Sequence, residues 1–103
     1  MKITALIVSP DPAPLGRMID VMALVEFDGP ARPIEVCLSV AAPIAIDDRA
    51  MLCQSVFGAS PVSVAFRVRI SGPSALDACE LTALVSDGEG PTSESRHSIR
   101  LSI

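Results

Sequence analysis

The chain contains no tryptophan and no tyrosine, and its aromatic side chains are three phenylalanines. Faces that stack sugar rings or nucleobases are built largely from exposed Trp and Tyr, so such a face has little to draw on here. Cations are also few, with eight Lys and Arg against twelve Asp and Glu, for a net charge of −4. The basic residues are scattered rather than clustered, whereas phosphate backbones are gripped by clustered Lys and Arg. No nucleic-acid partner is expected. Long apolar runs are missing too, and nothing approaches the roughly 20 residues that span a bilayer, so no membrane partner is expected. The apolar run at residues 3–8 is too short for the h-region of a signal peptide and lacks a small-residue cleavage site. The chain is expected to be made in the cytoplasm without a signal peptide.

Catalytic patterns are equally scarce. There is no Gly-x-Ser-x-Gly, His-Glu-x-x-His, phosphate loop or Cys-x-x-Cys. The single histidine, His97, sits at inward parity near the start of the last apolar-periodic segment, where a rim or satisfied core histidine is the simpler reading. A nucleophilic Cys–His pair would need Cys79 or Cys53 beside it and a third orienting group. The expectation is a protein that is not an enzyme and uses no cofactor. Loop carboxylates at Asp47-Asp48 and at Asp87 with Glu89 are the candidates for calcium, although loop carboxylates are more often simply solvated.

What the chain does have is alternation. Half of its 103 residues are hydrophobic and nine are proline, which leaves no room for a long helix and favours β-branched strands. Period-two patterning predicts strands over residues 2–9, 17–28, 33–41, 62–71, 77–86 and 95–103. Residues 50–57 read either as a short edge strand or as a single helical turn. In 17–28, Ile19, Val21, Ala23, Val25 and Phe27 share one face. In 62–71 the inward row is Val62, Val64, Phe66, Val68 and Ile70; in the last segment it is His97, Ile99, Leu101 and Ile103. About seven strands in one domain, residues 1–103, imply an all-β fold, an antiparallel two-sheet sandwich.

Two stretches carry a resemblance. "LDACELTALVSDGEG" at residues 76–90 resembles the penultimate strand of an immunoglobulin-like domain and the turn after it. "VSPDPAPLGRMIDVMALVEFDG" at residues 8–29 resembles the first hairpin of such modules. Leu81 and Ala83 stand where antibody variable domains carry Tyr and the second disulfide Cys. The likeness is therefore to bacterial and phage immunoglobulin-like modules rather than to antibodies. It implies an immunoglobulin-like sandwich and, for a small chain opening on Met1, a role like that of phage virion accessories: capsid decoration or cement, or tail or neck subunits.

The residues that point to such a role are apolar ones at outward parity. If the second strand buries its odd-numbered residues, Met18, Met22 and Leu24 face outward. If the first buries Ile3, Ala5 and Ile7, then Leu6 and Val8 face outward beside them. Together they would expose a contiguous apolar area on the order of a few hundred Å², where a patch begins to imply a protein partner. The expected function is a structural or interaction module docking on a larger assembly, with a homo-oligomer among the options. The alternative is a carbohydrate- or calcium-binding sandwich of a bacterial surface protein.

Three cysteines allow at most one internal disulfide. Cys79 reads as a small buried hydrophobe. Cys37 points away from Ile34, Val36 and Leu38, so it is either an idle thiol or a link to a neighbouring subunit. Cys37 and Cys53 are the candidates for an intersubunit disulfide.

Overall fold

A computed structural model describes residues 1–90 and 92–102. Among them the chain forms nine strands and no helix: β1 (Lys2–Ser9), β2 (Ala13–Pro14), β3 (Met18–Glu26), β4 (Arg32–Ser39), β5 (Ala45–Ile46), β6 (Met51–Gly58), β7 (Val62–Ser71), β8 (Ala78–Ser86) and β9 (Ser93–Ser102). They make two sheets, ordered β1-β3-β7-β5 and β2-β9-β8-β4-β6. All pairings are antiparallel except that of β2 with β9.

Strands β3, β4, β7, β8 and β9 follow the period-two pattern because each has one face in the core and one in water. The ambiguous segment is β6, a full strand hydrogen-bonded to β4. The two additional strands are only two residues long, too short to show any periodicity. They arise from tertiary pairing. Beyond β2, Leu15 N–H reaches Ser102 C=O at 2.8 Å, and Gly16 N–H reaches Ile70 C=O at 2.8 Å.

The core lies between the sheets. Ile19, Val21, Ala23 and Val25 from β3 and Val64, Phe66, Val68 and Ile70 from β7 meet Ile34, Val36 and Leu38 from β4 and Leu81, Ala83 and Val85 from β8. No polar side chain is buried among the described residues. The apolar row of the last strand continues through Ile99 and Leu101, both buried, while His97 is half-buried. Ile103, expected to end that row, lies outside the described residues.

One expectation fails in β1. Ile3 pairs with Val25 and Ala5 pairs with Leu24, so Thr4 and Ala5 together oppose a single residue. This bulge reverses the side-chain alternation for the rest of the strand. From there Leu6 opposes Ala23 and Val8 opposes Val21, both buried, and Leu6 and Val8 pack against the core. They do not belong to an outward patch. Ile7 does: it pairs with Met22 and is 46% exposed.

Candidate functional site: the outer face of the β1–β3–β7 sheet

Strand register places the outward side chains of three strands in rows. Ile7, Met22 and Ala65 form one row, and Ala5, Leu24 and Ser63 form the next. On either side lie pairs of opposite charge facing each other across the ladder, Asp20 with Arg67 and Lys2 with Glu26. An apolar centre with a charged rim is the anatomy of a protein contact surface. A shallow depression runs along it, lined by Ile7, Ser9, Asp20, Met22 and Ala65 and floored by Val21 and Phe66.

Of the five residues expected in the patch, Met22 and Leu24 lie in its centre, both half-buried by their neighbours. Met18 is on the same face and 43% exposed, but it pairs with Arg69 beyond the Asp20–Arg67 row and stands apart. Leu6 and Val8 point inward. Three residues of the centre were not expected there: Ala5, Ile7 and Ala65. Ala65 was legible, since it alternates with Val64 and Phe66. Ile7 was hidden because its parity depends on the Thr4 bulge.

Cys37 and Cys53 stand directly opposite each other in the β4–β6 ladder, with Cα atoms 4.0 Å apart, and their sulfurs are bonded together. The expectation that either links neighbouring subunits is therefore corrected. A register that sets two cysteines opposite on one face satisfies the linkage within the chain. Glu35 Oε1 lies 3.7 Å from Cys37 Sγ, a contact only, since a disulfide sulfur has no proton to donate. The Glu35, Cys37 and Cys53 heads cluster within 4.8 Å. With the sulfurs bonded to each other they offer no thiolate to a metal. Cys79 is the free cysteine; it is half-buried against the core, and burial pushes its thiol up from the ordinary value.

Of the candidate calcium carboxylates, those of Asp47 and Asp87 are engaged locally. Asp47 and Asp48 are the central residues of the β5–β6 turn, with φ of 48° and 63°. The turn is closed by Ile46 N–H to Arg49 C=O at 2.7 Å and by the reverse bond at 2.8 Å. Asp residues tolerate this left-handed backbone better than most, which is why the pair sits there. Asp47 Oδ1 also accepts the Arg69 N–H at 2.8 Å.

The "DGEG" stop after β8 is a side-chain-capped turn. Asp87 Oδ1 accepts the N–H groups of Gly90 at 2.8 Å and Glu89 at 3.0 Å, while Ser86 Oγ accepts that of Gly88 at 3.0 Å. Gly88 has φ 82°, a conformation that favours glycine. These two backbone donors, Gly90 first, hold the Asp87 carboxyl below its ordinary value, and the Arg32 charge acts in the same direction. Arg32 Nε lies 3.4 Å from Asp87 Oδ2, an ion pair without hydrogen-bond alignment. The Arg32 guanidinium sits 4.6 Å from the centroid of Phe27, closing this end of the sandwich.

His97 Nε2 shares a 2.8 Å hydrogen bond with Ser95 Oγ two residues away on the same strand face. Among the described residues no carboxylate is hydrogen-bonded to its other ring nitrogen, so the orienting third member of a nucleophilic triad is missing from the pair. Cys79 pairs with Ile99 and Leu81 with His97, which makes Cys79 a diagonal neighbour of the histidine on the next strand.

In comparisons with known proteins, no family model matches the chain and no curated protein matches it.

Proposed function

We propose that this chain is a non-enzymatic interaction module of immunoglobulin-like type, docking on a protein partner in a larger assembly through the outer face of β1, β3 and β7. The single observation that carries the reading is the apolar centre made by Ala5, Ile7, Met22, Leu24 and Ala65 between two rows of opposed charges. The topology supports the immunoglobulin-like part. Strands β1, β3 and β7 take the places of A, B and E, and β4, β8 and β9 those of C, F and G, with β6 extending that second sheet. One difference stands out: β5, at the edge beyond β7, precedes β6 in the chain, whereas the strand in that place ordinarily follows. A phage particle is the assembly that the resemblance of residues 8–29 and 76–90 favours.

The test uses Met22→Asp. Purified from the cells or particles in which the chain is naturally made, the tagged wild-type chain is expected to retain a protein partner. Amine-reactive crosslinks should run from Lys2, the lone lysine, which sits at the rim of the face. Met22→Asp is expected to melt like wild type and to lose that partner. Equal retention by the variant, or a melting loss typical of a core substitution, would remove the reading.

A further inference from the structure

A different surface, on the other sheet, has its own logic. β6 is the last strand of β2-β9-β8-β4-β6, and among the described residues no strand pairs with its far side. The orientation of its open backbone groups follows from the β4–β6 ladder. Val40 N–H bonds Ala50 C=O at 3.0 Å, which makes that pair a hydrogen-bonded one. Pair types alternate along an antiparallel ladder, so Ser39–Met51, Cys37–Cys53, Glu35–Ser55 and Pro33–Phe57 are of the non-hydrogen-bonded type. The short 4.0 Å Cα separation at Cys37–Cys53 agrees. Met51, Cys53, Ser55 and Phe57 therefore aim their N–H and C=O groups away from β4, into solvent.

Every other edge is protected. β1 opens on Lys2, carries the Thr4 bulge and runs into Pro10 and Pro12. β5 is two residues long and is followed by Asp47, Asp48 and Arg49. β9 is partly covered by β2 and carries Glu94, Arg96 and Arg100. Charges, prolines, bulges and shortness are the devices that stop edges from pairing. β6 has none of them: residues 50–60 contain no charge and no proline. It also holds two large exposed apolar side chains, Phe57 at 71% and Met51 at 46%.

We propose that β6 is a self-pairing edge, joining two copies of this chain antiparallel about a two-fold axis through Gln54. Side chains that oppose each other across an antiparallel pair share a face, and that restricts the registers available. With Gln54 on the axis, Ser55 meets Cys53 of the second copy, Val56 meets Leu52 and Phe57 meets Met51. Each Phe57 ring then covers a Met51 thioether on the outer face, a favourable sulfur–aromatic contact. The Ser55–Cys53 and Phe57–Met51 pairs are also the ones whose backbone groups point outward, so about eight backbone hydrogen bonds form at once. Placing Ser55 on the axis instead sets Phe57 against Cys53 and leaves Met51 opposite Ala59, beyond the strand. The Gln54 register is the one that covers both exposed side chains. Two five-stranded sheets become one continuous sheet, and the Cys37–Cys53 bond fastens each joining strand to its own β4.

Sedimentation equilibrium on the whole chain, from about 1 μM to about 1 mM, provides the test. Wild type is expected to approach twice its 10.7 kDa monomer mass. Ser55→Lys should raise the dissociation constant about tenfold or more by placing charge at the seam. Ser55→Pro removes only an N–H that points to solvent in the monomer, so it should abolish the dimer while the thermal melt still reports a folded chain. Met22→Asp, on the opposite sheet, should leave the dimer unchanged, which separates this inference from the docking reading above. Gln54→Cys in a Cys79→Ser background should give a covalent dimer with oxidised glutathione, because residues facing across the axis have Cα atoms about 4.5 Å apart. A monomer throughout the concentration range overturns the inference. So does a dimer indifferent to both Ser55 variants, or one lost in Met22→Asp alone.

Discussion

Asp87 shows how much one side chain does at the end of this sandwich. Its carboxylate caps the turn after β8 through two N–H groups and meets the Arg32 guanidinium that covers Phe27. These partners favour the charged form, so the folded-state value lies below the ordinary 3.8. A carboxylate shifted down stabilises the fold above its unfolded value and loses that contribution as pH falls through the lower, folded one. Wild type is therefore expected to exceed Asp87→Asn in stability near neutrality, and the gap should close below about pH 4. Denaturant melts of both chains between neutral and strongly acidic pH check this; a gap independent of pH would remove the charged carboxylate from the account. The sequence already marked this turn, because "DGEG" after an apolar run carries its own stop signal. The Arg32–Asp87 contact was not legible, since it joins residues 55 positions apart.

At the scale of the element, β1 is the instructive strand. Its residues alternate well enough to be recognised as a strand, yet the alternation does not say which row faces in. Ile3, Ala5 and Ile7 are as apolar as Leu6 and Val8, so hydrophobicity gives no preference. The bulge at Thr4 decides it by inserting one residue against Leu24. Leu6→Asp should then cost on the order of 2 kcal/mol or more by placing a charge against the core, whereas Ile7→Asp should stay within about 0.5 kcal/mol. Urea melts of the two variants give the answer; the opposite order would restore uninterrupted parity. Strands β3 and β7 needed no such arbiter. In β3 and β7 the apolar row alternates with Asp20, Arg67 and Arg69, which fixes the buried face from the sequence.

On the scale of the whole molecule, 103 residues fold with a radius of gyration of 13.7 Å and extents of 44 × 22 × 17 Å. The elongated slab carries its two candidate contacts on different sheets, the outer face of β1–β3–β7 and the open edge of β6. Among the described residues the core has no buried polar side chain to specify pairing, so register rests on alternation, turns and the cross-strand disulfide. That disulfide acts chiefly on the unfolded chain, where its 16-residue separation removes loop freedom worth about 3 kcal/mol in the chain-entropy account. The double variant Cys37→Ser/Cys53→Ser is expected to remain folded with a lower denaturant midpoint, by about 2–4 kcal/mol of stability. An unchanged midpoint would mean that the bond constrains nothing the fold does not already hold.

The sequence by itself determined the all-β class, six of the seven longer strands and most of the core, because period-two patterning is a local consequence of having one wet and one dry face. It also set Met22 and Leu24 on the outward side of their strand. Tertiary structure decided what depends on pairing partners: the two short strands, the pairing that makes β6 a strand, the flip in β1 that exchanges Leu6 and Val8 for Ala5 and Ile7, and the bond between Cys37 and Cys53. Each follows from which backbone lies opposite which, and a one-residue shift in register rewrites all of them.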